Sequence, residues 1–104
     1  MSEFVTVARL GDVPESGLLG VEVAGRAVVL VRFEGDLYAL DGICSHAEAR
    51  LAEGSLYEEC LMCPVHGGEF DVRTGEAITL PAMEALAVHE VAIEGDEIRV
   101  ALRT

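Results

Sequence analysis

The chain has 104 residues, with 7 basic against 19 acidic side chains and a formal net charge of -12. That length fits a single domain over residues 1–104, and 51% hydrophobic against 25% charged residues excludes disorder for the bulk of it. The charge repels phosphate backbones and anionic headgroups, so neither nucleic acid nor membrane is expected as a partner, and a partner drawn in by long-range electrostatics presents a basic surface.

The first strand-like run is 4–8, preceded by Met1-Ser2-Glu3, which lacks the basic-then-apolar opening of a signal peptide. Asp12-Val13-Pro14-Glu15 combines an N-cap residue with an early proline and predicts one short helical turn. Further runs rich in Val, Ile, Leu and Phe follow at 19–24, 27–33, 37–41, 86–93 and 97–102. Ala24-Gly25-Arg26, Glu34-Gly35-Asp36 and Glu94-Gly95-Asp96 divide these runs as tight hairpin turns do, and predict at least three antiparallel hairpins. Nowhere does an apolar 3.6 period persist, so the fold class is all-β. The longest apolar run, 27–31, falls far short of the roughly 20 residues that cross a bilayer, and a cytoplasmic monomer is expected. The two Glu-Gly-Asp triplets read as turn chemistry recurring by chance, not as an internal repeat.

Between residues 43 and 75 the character changes: alternation weakens, Gly and Glu accumulate, and all three cysteines appear with two of the three histidines. This stretch reads as an inserted segment that carries the chemistry on a β scaffold. Cys44-Ser45-His46 is followed by Cys63-Pro64-Val65-His66, two Cys/His pairs on separate loops that can close around a metal centre. Pro64 stiffens its loop, while Gly54 and Gly67-Gly68 permit close backbone approach.

Cys44-x-His46 and Cys63-Pro64-x-His66-Gly67, with Phe70-Asp71-x-x-Thr74-Gly75 behind them, resemble the Rieske 2Fe-2S motif. The resemblance covers essentially the whole chain and is greatest to the ferredoxin components of bacterial aromatic-ring dioxygenase systems. It implies an antiparallel β sandwich with an inserted cluster-binding subdomain at about 43–75, and a Pro-containing stretch, Leu80-Pro81-Ala82, packed near the cluster. It also implies one 2Fe-2S cluster, with Cys44 and Cys63 on the buried iron and His46 and His66 on the outer one. The protein is then a one-electron carrier and not an enzyme, passing electrons from an NAD(P)H-dependent flavoprotein reductase to a terminal oxygenase through its exposed His46 and His66 tip. Only His89 remains as a further histidine, too few for the mononuclear iron of the oxygenase itself.

Oxidised, two ferric ions, two sulfides and two thiolates sum to no net charge, against a double negative charge with four thiolates, so histidine ligation eases reduction. Relative to high-potential members, Ala49 and Val65 stand where paired cysteines brace the loops, and Gly68 and Phe70 where hydroxyls reach the cluster sulfurs. Fewer donors leave the reduced state less stabilised, and the expected potential is about -150 mV.

Other readings remain open on the residues alone. The four ligands permit a zinc site and an interaction module, or the domain is a small subunit of another redox enzyme such as nitrite reductase, many of which lack these ligands. A Cys-His nucleophile finds no oxyanion device or orienting group. Cys60, three residues before Cys63, is read as a structural thiol on the opposite strand face, and His89 as a satisfied strand histidine. Glu48, Glu53, Glu58, Glu59 and Glu69 form either a solvated surface or a docking face for basic partners.

Overall fold

A computed structural model describes residues 3–44, 49–65, 68–79 and 84–103. Among the described residues ten strands run in chain order as β1 (Val5–Arg9), β2 (Leu18–Val23), β3 (Arg26–Phe33), β4 (Asp36–Asp41), β5 (Ser55–Tyr57), β6 (Cys60–Met62), β7 (Glu69–Asp71), β8 (Ala77–Thr79), β9 (Val88–Glu94) and β10 (Glu97–Ala101). They form a six-stranded sheet, ordered β1-β10-β9-β4-β3-β2, and a four-stranded sheet, ordered β5-β6-β7-β8. Every strand pairing is antiparallel. The fold is therefore all-β, and among the described residues no helix is long and apolar enough to cross a membrane.

Strand β3 explains how the two sheets join. Its residues Val28, Val29, Leu30 and Val31 are all fully buried, so both of its faces are covered. Val28 and Leu30 pack with Ile98 and Val100 inside the six-stranded sheet. Val29 and Val31 face the other way, into a cluster with Leu51, Leu61, Phe70 and the two cysteines Cys44 and Cys63. Burying each such aliphatic side chain contributes about 1.5–3 kcal/mol, and the second cluster holds the cysteine-bearing segments against the larger sheet.

The hairpin turns form where the glycines predict them, with differences in register. Ala24-Gly25 and Glu34-Gly35 have positive φ at both positions (50° and 82°, 52° and 83°), the pattern of type I′ turns. In the third hairpin Glu97 pairs with Glu94, so the turn is Gly95-Asp96, with Gly95 at φ 61°. The two Glu-Gly-Asp triplets thus sit differently in their hairpins, as expected of chance recurrence and not of a repeat.

The predicted helical turn is displaced. A 3-10 turn covers Leu10–Asp12, and Asp12 closes it by accepting the Arg9 amide at 2.9 Å. Pro14 disfavours a helical conformation at Val13, which lies extended at φ -78°, ψ 117° and ends the turn. A second 3-10 turn at Leu51–Glu53 had no sequence signal. Strand pairing in the inserted region also continues past residue 75, because β8 adds Ala77–Thr79 to the smaller sheet.

Candidate metal centre

Cys44 and Cys63 open two loops built alike. The Cys44 amide donates to the Ala49 carbonyl at 3.0 Å, and the Cys63 amide donates to the Gly68 carbonyl at 2.8 Å. Just outside those bonds Ile43 bridges Arg50, and Met62 pairs with Glu69. Each cysteine therefore begins a hairpin loop whose closing acceptor lies five positions on (44 to 49, 63 to 68), and each loop carries one histidine of the motif.

Both cysteines are buried, Cys44 to 4% and Cys63 to 1% exposure, within the same apolar cluster. His46 and His66 lie outside the described residues, as do Glu48 and Leu80-Pro81-Ala82. Among the described residues no three His, Cys, Asp or Glu side chains gather as a metal site. The donor set nevertheless fits a two-iron cluster with mixed ligands. Two sulfur donors enter one water-poor cluster from two matched loops, and each loop has an imidazole two or three positions further along. Phe70, fully buried in the same cluster, and Gly68 bring no hydroxyl to the sulfurs' surroundings.

Close backbone contacts frame the loops. A Cβ at Gly54 would collide with the Met62 carbonyl, directly before Cys63. Gly75, at φ 78°, would collide with the Leu86 carbonyl, and it accepts the Leu86 amide at 2.8 Å. That bond ties the segment after residues 80–83 to the end of β7's loop.

Cys60 is half-buried on β6, whereas Leu61 and Cys63 face the core cluster. Burial pushes its thiol pKa up, as do a hydrogen bond to Glu69 and the nearby charges of Glu69, Glu59 and Asp71. His89 is buried and satisfied at both ring nitrogens. Its Nδ1 accepts the Arg103 amide at 3.0 Å, which leaves Nε2 to donate to Asp41 Oδ1 at 3.0 Å. Asp41 also receives Arg26 at 2.9 Å and the Ala87 amide at 3.2 Å, so it pins the end of β4, three residues before Cys44. Nothing but an acidic residue closing an apolar strand hinted at this role in the sequence. Of the acidic side chains beside the loops, Glu53 and Glu58 are exposed and Glu59 and Glu69 half-buried.

A model of the Rieske [2Fe-2S] domain matches residues 3–90. The ferredoxin component of the naphthalene 1,2-dioxygenase/salicylate 5-hydroxylase systems of a Ralstonia species is 38% identical over 96% of this chain and 94% of its own. The ferredoxin of carbazole 1,9a-dioxygenase from Nocardioides aromaticivorans superposes with a TM-score of 0.89 at 37% identity, covering 96% of this chain and 98% of its own. A complex of reduced oxygenase and oxidized ferredoxin in carbazole 1,9a-dioxygenase contains a chain matching at TM-score 0.87 and 31% identity, over 94% of this chain and 92% of that one.

Proposed function

The chain belongs to the Rieske [2Fe-2S] domain family, and from that membership we propose that it is the ferredoxin component of a multicomponent aromatic-ring dioxygenase. Its cofactor is one 2Fe-2S cluster per chain, and it is an electron-transfer component and not a catalyst. When bound, the cluster supplies reversible one-electron chemistry. Cys44 and Cys63 would hold the inner iron as thiolates, and His46 and His66 the outer one. The buried cysteines and Phe70 keep water from the sulfur side, while the two imidazoles offer the electron an exit toward a partner. A flavoprotein reductase oxidising NAD(P)H supplies the electrons, and a terminal oxygenase receives them.

The observation that carries this reading is full-length similarity to named ferredoxin components combined with the matched loops opened by Cys44 and Cys63. Residues 1–104 act as one domain, with the cluster segment at about 43–75 set in the β base, working as a monomer in the cytoplasm. With no hydroxyl at Gly68 or Phe70, the potential lies near the bottom of the Rieske range, about -150 mV.

The test is iron and sulfide analysis on purified protein, with its visible spectrum and the EPR signal after dithionite reduction. Equal iron and sulfide and a rhombic reduced-state signal support the reading, whereas zinc without colour overturns it. The protein should also restore NADH-dependent turnover to a reductase and oxygenase pair. A potential above about +100 mV would contradict the low-potential assignment.

A further inference from the structure

All seven basic side chains are arginines, and six of them are engaged. Arg9, Arg26, Arg73, Arg99 and Arg103 pair with carboxylates, and Arg32 donates to the Leu10 carbonyl at 2.8 Å. Among the arginines, all of which lie in the described residues, Arg50 alone has neither an ion pair nor a side-chain hydrogen bond. It is exposed, directly follows the closing residue of loop 44–49, and bridges Ile43, itself 38% exposed. Arg50 lines a hollow of about 350 Å³ together with Gly20, Glu22, Ala27, Gly42 and Glu53. Both carboxylates of that hollow leave the guanidinium unpaired within 4 Å.

A guanidinium presents a planar fork of donors that matches a carboxylate bidentately. We propose that Arg50 anchors a carboxylate of the terminal oxygenase: an aspartate or glutamate side chain of that partner enters the hollow and accepts two hydrogen bonds from Arg50, with Ile43 packed at the rim. This rests on the function proposed above. The sign of the charge gives the anchor its use. An acidic protein of net charge -12 attracts a basic partner in many orientations, and a uniformly charged face tolerates sliding. One charge of the opposite sign, placed at the base of a cluster loop, penalises wrong registers and favours the one in which the loop faces its acceptor.

The sign also makes the proposal separable from bulk electrostatics. Arg50→Gln takes the formal charge from -12 to -13, Arg50→Glu takes it to -14, and Glu53→Gln takes it to -11. If Arg50 were a solvated surface residue, the first two changes would leave binding to a basic partner unchanged or tighten it, and the third would weaken it. The experiment is calorimetric titration of the oxidised holoprotein with the terminal oxygenase of the Nocardioides aromaticivorans carbazole 1,9a-dioxygenase, with the visible spectrum of each variant confirming an intact cluster. Arg50→Gln should raise Kd about tenfold and Arg50→Glu further, while Glu53→Gln lowers it and Arg50→Lys falls between wild type and Arg50→Gln. Should Arg50→Glu fail to load its cluster, Arg50→Gln carries the test. Unchanged or tighter binding by Arg50→Gln overturns the anchor, and so does a loss confined to reduction by the reductase. Absence of binding by the wild-type protein overturns instead the oxygenase reading on which the anchor depends.

Discussion

At Gly54 the backbone leaves no room for a side chain, since a Cβ would meet the Met62 carbonyl oxygen and crowd that of Leu51. Gly54→Ala should therefore cost about 1–3 kcal/mol in a urea titration and lower the iron content of the purified protein, because Met62 leads directly into Cys63. Glu58 shows the opposite case. It holds φ 51° without being glycine, in the turn between β5 and β6, where a side chain is strained by about 1–2 kcal/mol. Glu58→Gly should stabilise the protein by about 0.5–1 kcal/mol after the entropy cost of glycine, read as a higher urea midpoint. Cys60 gives a pH dependence with a definite sign. Its folded pKa is raised, by burial first and then by Glu69, so the folded state keeps the proton longer than the unfolded one. The contribution is fully present below the ordinary thiol value of about 8.5 and is lost as pH climbs through the folded value. Cys60→Ala should flatten this alkaline decline in stability.

Between elements, the join of β4 to β9 depends on one buried polar node. His89 bridges Asp41 and the Arg103 amide, and Asp41 in turn holds Arg26 and the Ala87 amide. His89→Ala would leave a cavity and strip partners from both neighbours, at about 2–3 kcal/mol, measured by urea titration of the loaded protein. Long strands such as β3 were legible because their apolar content and flanking glycine turns recur over many residues. Strands β5, β6, β7 and β8, at three residues each, are too short to display a period, which is why the inserted region read only as irregular. The displaced 3-10 turn at Leu10–Asp12 follows from Pro14 acting on Val13, a constraint that outweighs the capping preference of Asp12.

For the molecule as a whole, the two matched loops begin at cysteines buried in a core shared by both sheets, so loss of the iron-sulfur cluster should be felt locally. The amides of Cys44 and Cys63 are held by the carbonyls of Ala49 and Gly68. After iron chelation their hydrogen exchange should rise by about a hundredfold, while amides of the fully buried stretch of β3 stay slow. Equal acceleration in both places would show that the base unfolds together with the loops.

The family motif Cys44-x-His46 and Cys63-Pro64-x-His66, the all-β class and most hairpin positions could be read from the chain, because motif spacing and turn glycines are local features. The burial of both cysteines in one cluster, the Asp41–His89 node and the unpaired state of Arg50 could not. Each depends on which distant segments meet: β6 and β7 against β3, residue 41 against residue 89, or the loop base against β2. Such meetings are set by sheet order and by the two-sided burial of β3, where cooperative packing, and not local propensity, selects the partners.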